Sequence, residues 1–353
     1  MNDTLILKWG VIIKKLSVFL ALLAFFLCVA NTKAVMAEQD DAEGIEVTIN
    51  GLNFFVDSQN ETATLISGTS KKIKKLTVPD TISYEEKEIP VVAVEEYAFF
   101  ESKKLKTVAL GKNVRRIGEA AFAFSQKLKK ISVPGGLTEI DDAAFAGCIA
   151  LKKTGIGKNT KIKRIGEGAF AGTAIIYFSI PNYTDEVGSA AFSLCQNLKK
   201  IRIGTNCDNI GEGAFSGCDA LDTITVSKYN RAFKIIDGII YSADGMKLIA
   251  AGAANGVITV QEGTESILPY AFEDNTRVTS VILPDSLSDI CENAFLNATG
   301  LEKISFGLGI KQIGLNAFYG CSGLKTVVLQ FGKDNIEGYP FENTDDGIQV
   351  IQG

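Results

Sequence analysis

The sequence predicts an α/β solenoid, a stack of coils of about 23 residues in which each coil contributes one parallel strand. Two observations predict it. An Ala-Phe pair recurs at a nearly constant spacing, and a strand-like alternation of apolar and polar residues follows each pair. The intervals between successive phenylalanines are 23, 23, 25, 22, 23, 57, 23 and 23 residues. The phenylalanines concerned are Phe99, Phe122, Phe145, Phe170, Phe192, Phe215, Phe272, Phe295 and Phe318, and Phe341 belongs to a degenerate further copy.

Positions within a coil are counted here from its phenylalanine. In the coil of Phe215, aliphatic residues stand at −5 (Ile210), +6 (Leu221), +9 (Ile224) and +11 (Val226). We expect the Ala-Phe segment to return the chain as a short helix or tight turn. The phenylalanine rings are then expected to form one continuous internal column, each ring contributing about 1.5–3 kcal/mol by its burial. Such a stack predicts an extended surface where enzymes have a pocket.

The repeated pattern, Ile-Gly-x-x-Ala-Phe-x-x-Cys-x-x-Leu-x-x-Ile-x-Ile-Pro, resembles the BspA-like leucine-rich repeat family over residues 73–353. The resemblance implies a curved leucine-rich-repeat stack. It also implies a bacterial surface or secreted protein, of a kind linked to adhesion to host or matrix proteins and to co-aggregation between cells.

Residues 1–37 are predicted to be a secretory signal peptide. Lysines precede an apolar run at 16–30, and small residues precede a cleavage site after Ala37. The alternative is an uncleaved membrane anchor, but the run is shorter than the roughly 20 residues that a spanning helix needs. We therefore expect a mature chain without a membrane span, secreted or held at the cell surface.

Residues 38–72 lack the repeat and are predicted to form an N-terminal β cap. Apolar residues alternate on both sides of the turn signal Asn50-Gly51, which is typical of a hairpin. A cap is expected because the first coil of a solenoid exposes apolar surface unless something covers it.

The solenoid is predicted over 73–353, with an insert at about 227–262. Phe215 and Phe272 are 57 residues apart, which is 34 residues more than one period of 23. The insert contains Asp237-Gly238 and Asp244-Gly245 between apolar runs, which predicts an inserted β-hairpin region. Both a structural embellishment and a dedicated recognition element are compatible with it.

Four of the cysteines, Cys148, Cys195, Cys218 and Cys321, stand at position +3, where other coils place small residues such as Ser125. This register predicts free, buried thiols. The alternative is disulfide bonding, for which Cys195 and Cys218 on neighbouring coils are the candidate pair. Zinc is not expected, because the chain has no C-x-x-C pair.

The formal net charge of −5 disfavours nucleic acid as a partner.

Composition and motifs argue against catalysis. The 353 residues include no histidine, the commonest general base and metal ligand. No serine lies in a nucleophile elbow. We therefore expect neither enzymatic activity nor a cofactor; a hydrolase with a cryptic site, for example one using a carboxylate pair such as Asp141-Asp142, is the alternative.

Lysines recur at positions +7 and +8. They would stack at a strand spacing of roughly 4.8 Å into a basic ladder on the sheet face, which can attract an anionic partner. The alternative is a role in solubility and in protecting sheet edges. The predicted partner-binding residues are Lys130, Lys153, Lys200 and Arg202.

The sequence thus predicts an exported, non-catalytic binding or adhesion protein, expected to be a monomer. Its sheet face would be presented to a host or matrix protein or to an anionic glycan. A purely structural spacer at the surface or in a matrix is the other non-enzymatic alternative.

Overall fold

The computed structural model describes residues 44–329 and 348–352. The predicted signal peptide at 1–37, the first residues of the predicted cap and the degenerate Phe341 copy lie outside these ranges. Within them the protein is a β-solenoid of about ten turns, spaced by about 23 residues and built from parallel strands.

The described part of the chain contains twenty-seven strands, joined by turns and loops. The first sixteen are β1 (Gly44–Ile49), β2 (Leu52–Asp57), β3 (Thr62–Gly68), β4 (Lys75–Thr77), β5 (Thr81–Tyr84), β6 (Lys87–Val94), β7 (Thr107–Ala109), β8 (Arg116–Ile117), β9 (Lys130–Ser132), β10 (Glu139–Ile140), β11 (Arg164–Ile165), β12 (Tyr177–Ser179), β13 (Glu186–Val187), β14 (Lys200–Ile203), β15 (Asn209–Ile210) and β16 (Thr223–Val226). The others are β17 (Phe233–Ile236), β18 (Ile239–Ser242), β19 (Lys247–Ala250), β20 (Gly256–Thr259), β21 (Ser266–Ile267), β22 (Val278–Ile282), β23 (Asp289–Ile290), β24 (Lys303–Ser305), β25 (Gln312–Ile313), β26 (Thr326–Leu329) and β27 (Gln349–Gln352).

Most coils contribute two strand segments, where the sequence predicted one. From β8 onward the aliphatic residue at −5 ends a two-residue strand, and these short strands pair in parallel as β8-β10-β11-β13-β15, with the longer β6 beside β8. The segment from about +8 to +11 forms the second, longer strand. The longer strands pair in parallel as β4-β7-β9, β12-β14-β16 and β20-β22-β24-β26-β27.

The described residues contain no helix, so the α/β class is wrong and the fold is all-β. In the return segment, which contains the Ala-Phe pair, every second N–H group donates a hydrogen bond to the next coil. Phe122 N donates to Ala144 O (2.9 Å) and Phe124 N donates to Ala146 O (2.7 Å). The N–H groups between them bond back three residues within their own coil. Ala120 and Phe124 have φ values of +49° and +56°. An α-helix needs every N–H for its own ladder and every φ negative, so this segment cannot form one.

The phenylalanine rings form two internal columns, so the prediction of one continuous column is wrong. Among the described residues no ring contact joins Phe215 to Phe272. Ala251 N donates to Ala271 O (2.8 Å), which is the bond to the next coil that a phenylalanine makes elsewhere. Alanine there has no ring to continue the column. The stacked pairs and their centroid distances are Phe99–Phe122 (5.7 Å), Phe122–Phe145 (5.4 Å), Phe145–Phe170 (5.3 Å), Phe170–Phe192 (5.5 Å), Phe192–Phe215 (5.9 Å), Phe272–Phe295 (4.5 Å) and Phe295–Phe318 (4.9 Å).

Two antiparallel meanders begin the two parts of the stack in the same way. Strands β1, β2 and β3 are antiparallel, and β3 then pairs in parallel with β6. Strands β17, β18 and β19, inside the insert, repeat this arrangement, and β19 pairs in parallel with β21. Their first turns, Asn50-Gly51 and Asp237-Gly238, have positive φ at both residues, as a two-residue hairpin turn requires.

The six described cysteines are free thiols, and all except the half-buried Cys291 are buried, as the repeat register predicted. At position +3 the side chain donates to the phenylalanine carbonyl of the preceding coil. Cys148 Sγ bonds Phe122 O (3.1 Å), as Ser125 Oγ bonds Phe99 O (2.9 Å). Burial raises the pKa of the Cys148 thiol to about 12, which keeps it protonated and able to donate.

Candidate functional site

The longer strands from β7 to β16 belong to two successive sheets, and their outward sides are together called the sheet face. Its residues alternate with buried ones such as Ile131 and Ile201, so their side chains point away from the core. The twelve outward positions hold four cations and no carboxylate. They are Thr107, Ala109, Lys130, Ser132, Lys153, Gly155, Tyr177, Ser179, Lys200, Arg202, Thr223 and Thr225.

The structure brings Lys130 and Lys153 together, because they face each other in a parallel bridge between neighbouring coils. Both side chains are exposed. Neither forms an ion pair within the part of the chain that the structure describes. Two like charges in directly opposed positions destabilise a sheet, and they raise the local positive potential.

Lys200 and Arg202 form the second basic pair, on the same side of β14. Lys200 is flanked by Tyr177 on β12 and by Thr223 on β16. Tyr177, 63% exposed, therefore stands between the two basic pairs. The four predicted residues all lie on the sheet face, as two pairs separated by an aromatic ring.

Arg202 is held by a polar chain beside the sheet. Its Nη2 donates to Asn182 Oδ1 at 3.1 Å, and Thr205 Oγ1 donates to the same oxygen at 3.3 Å. Thr205 is in turn 3.0 Å from the Ser227 hydroxyl. These contacts fix the Nη2 side of the guanidinium group, whereas Nη1 is covered by protein atoms and has no hydrogen-bond partner among the described residues.

Two polar atoms on adjacent strands have no hydrogen-bond partner among the described residues. They are Arg202 Nη1 and Ser179 Oγ, both buried. Register pairs Ser179 on β12 directly with Arg202 on β14. A buried donor without an acceptor destabilises the free protein by about 1–3 kcal/mol, and by more when it is charged.

Sequence reasoning did not identify Ser179 or Asn182 as site residues, and it treated Tyr177 only as an interruption of the lysine ladder. Tyr177 and Ser179 carry a usable signal, because strand alternation places them outward once the one-residue shortening of the Phe170 coil is allowed for. Asn182 lies in the loop after β12, and its position in the repeat does not predict its contact with Arg202.

A groove of about 430 Å³ lies on the return side, an exception to the expected pocket-free surface. It is called here the acidic groove. Small residues such as Ala171 and Gly213 line it beside Tyr270. Its carboxyl groups come from coils before and after the insert. They belong to Glu167, Glu212, Glu273 and Asp274.

Burial, with a smaller contribution from the negative charge of Asp274, raises the pKa of Glu273 to about 7. Burial also raises the pKa of Asp274. Within the described residues, no group of three or more acidic or cysteine side chains is arranged to hold a metal ion.

We predict that Glu273→Gln raises stability at pH 8 and has less effect at pH 5. The carboxyl group ionises near 4.5 when unfolded and near 7 when folded, so the folded state binds more protons between these values. Its contribution to stability is complete below pH 4.5 and is lost as the pH rises through 7. Thermal unfolding at both pH values checks this, with the exposed Glu302→Gln as the control; equal shifts at the two pH values would contradict it.

The repeat also relates the chain to known proteins. The profile of the BspA type leucine rich repeat region matches residues 68–193, 144–238 and 255–352, more than half of the chain. No curated protein matches the chain. A membrane-crossing helix, long and apolar enough to span a bilayer, is absent from the described part of the chain.

Three solved structures show the same fold. A leucine rich cell surface protein from Faecalibacterium prausnitzii has 22% identity and a TM-score of 0.64, covering 87% of this chain and 94% of that one. The pneumococcal vaccine antigen PcpA has 19% identity and a TM-score of 0.60, covering 81% of each chain. A leucine-rich repeat protein from Eubacterium ventriosum has 18% identity and a TM-score of 0.53, covering 88% of this chain and 78% of that one.

Proposed function

Because the chain belongs to the BspA-type leucine-rich repeat family, we propose that it is an exported binding or adhesion protein without catalytic activity. Residues 1–37 direct export in this proposal, and the mature monomer is secreted or held at the cell surface. Residues 38–72 cover the first coil of the solenoid formed by 73–353. The sheet face contacts a host or matrix protein or an anionic glycan.

One observation carries the proposal. On a protein of net charge −5, twelve outward positions in the sheet hold four cations and no carboxylate. A local basic surface on an acidic protein attracts an anionic partner while the rest of the molecule repels it. The juxtaposed Lys130 and Lys153 add support, because a surface serving stability alone would separate them.

The test compares the mature chain with a charge-reversed variant on an array of matrix proteins and anionic glycans. The variant is Lys130→Glu, Lys153→Glu, Lys200→Glu and Arg202→Glu. At about 0.7 kcal/mol for each charge, we expect affinity to fall about 100-fold. Raising the salt concentration should also weaken wild-type binding.

A matched control reverses four exposed lysines that lie off the sheet face. These are Lys104, Lys127, Lys158 and Lys228. The net charge changes equally, so an effect of the sheet face alone predicts less than a fivefold loss for this control. Equal losses in the two variants, or binding that is insensitive to salt, would refute the proposal. Absence of any binding would leave the structural spacer as the function.

A hydrolase is the second candidate function, because the acidic groove contains a carboxyl group with a pKa of about 7, suited to a general acid. The test is turnover on a broad hydrolase substrate panel. Activity that Glu273→Gln abolishes would establish this candidate in place of the non-catalytic one.

A further inference from the structure

We infer that the sheet face binds an acidic polysaccharide, and that Arg202 with Ser179 receives one of its carboxylate or sulfate groups. The inference rests on the proposed function and adds the ligand class and the position of one contact. Four properties of the described residues carry it.

The first property is the pair of unused donors. Arg202 Nη1 and Ser179 Oγ are adjacent across the ladder, and neither has an acceptor among the described residues. Guanidinium binds carboxylate and sulfate oxygens through two parallel hydrogen bonds. Both atoms are covered in the free protein, so the inference requires the partly exposed Arg202 side chain to shift when the ligand binds. An anion that then accepts from both groups removes the penalty of leaving them unpaired, and this gain is specific to an acceptor ligand.

The second property is the orientation of the guanidinium group. Asn182 accepts from Nη2 at 3.1 Å, which holds the plane of the group in place. Asn182 is itself supported by Thr205. The partly exposed Arg202 side chain is thus ordered before a ligand arrives, so less conformational entropy is lost on binding.

The third property is the polarity of the surroundings. Thr223 and Thr225 continue the outward rows beside Lys200 and Arg202, so hydroxyl groups adjoin the cations. The nearby carboxylate of Asp222 already accepts a bond from Thr223 Oγ1 at 2.8 Å. A protein interface is built around an apolar centre, whereas this region offers mainly polar groups, which suits the hydroxyl and acidic groups of a polysaccharide.

The fourth property is the linear order of the groups. Lys130, Lys153, Tyr177 and Lys200 come from consecutive coils. Lys130 faces Lys153 in one parallel bridge and Tyr177 faces Lys200 in a second ladder, each pair at a strand spacing of roughly 4.8 Å. An extended polyanion crossing the strands meets a cation at three of these four steps. At the fourth it meets the exposed ring of Tyr177, an amphipathic surface on which a sugar ring can lie.

The experiment measures the affinity of the mature chain for heparin, hyaluronan and polyglutamate. Heparin carries sulfate and carboxylate groups, hyaluronan carries carboxylate groups alone, and polyglutamate is an acidic polymer without sugar. We expect at least one polysaccharide to bind at least tenfold more tightly than polyglutamate. The stronger of the two polysaccharides identifies the preferred acidic group.

Two conservative variants test the proposed contact. Arg202→Lys keeps the charge but loses the paired donors, so we expect about a tenfold loss of polysaccharide affinity. Ser179→Ala should lose about threefold, while thermal stability stays equal or rises because an unpaired buried hydroxyl is removed. Lys303→Gln, an exposed outward position on β24, is the control and should change affinity less than twofold.

The outcomes separate this inference from the proposed function. If Arg202→Lys and Ser179→Ala both keep wild-type affinity while the charge-reversed variant loses affinity, the proposed contact is refuted. Binding by the cations of the sheet face would still stand. Polyglutamate bound as tightly as both polysaccharides would refute the ligand class. Failure of all three polymers to bind would refute the inference. The proposed function would then still be decided by binding to the matrix proteins on the array.

Discussion

Replacing Phe170 with alanine is expected to lower the free energy of unfolding by about 4 kcal/mol. The ring is fully buried. It stacks on Phe145 at 5.3 Å and Phe192 at 5.5 Å, and it also contacts Phe178 at 5.2 Å. Its removal therefore opens a cavity shared by three successive coils, which close-packed neighbours fill only in part. Urea unfolding of the mature chain measures the change.

Phe100→Ala is the control for this prediction. Phe100 follows the column phenylalanine of its coil, but it is 38% exposed and meets Tyr97 and Phe124 by ring edges. We expect a loss of about 1 kcal/mol, because less apolar surface leaves water there on folding. Equal losses of unfolding free energy in the two variants would show that a ring in the column stabilises the protein no more than a ring outside it.

Replacing Gly211 with alanine is expected to lower the free energy of unfolding by about 3 kcal/mol. An added Cβ would lie 2.3 Å from Ser189 N and 2.6 Å from Gly188 C, both backbone atoms of the preceding coil. Backbone atoms bonded into a ladder cannot turn aside as a side chain can, so the coils must separate. The same unfolding measurement checks the prediction.

The control for this steric effect is Gly135→Ala. An added Cβ at Gly135 would meet no atom within 4 Å, and its φ is outside the left-handed region. Alanine restricts the unfolded chain more than glycine does, so we expect stability to be unchanged or to rise by about 0.5 kcal/mol. A comparable loss at both glycines would refute the close-approach explanation for Gly211.

The sequence predicted the solenoid because the repeat leaves each coil one way to bury its aliphatic and aromatic positions. The residues at −5 line up in register, as in the pairing of Ile117 with Ile140, because the period is regular. The α/β class was wrong: of the two forms expected for the return segment, a short helix or a tight turn, the structure has the turn. Its acceptors lie on the next coil, as Ala144 O does for Phe122 N, so local propensity did not reveal that a helix was excluded.

The candidate site divides in the same way. Lys130, Lys153, Lys200 and Arg202 were identifiable from their coil positions, because strand alternation determines which side chains face outward. The missing acceptor of Arg202 and its neighbour Ser179 were not, because hydrogen-bond satisfaction depends on which atoms meet across coils.

By itself, the sequence determined the repeat, its parallel stacking and the basic outward positions, since these follow from side-chain period and burial. Only the tertiary structure decided that the return segments are turns, that Ala251 divides the phenylalanine column, and that Arg202 retains an unused donor. These features depend on distances and hydrogen-bond partners between residues of different coils, which a coil's own sequence does not specify.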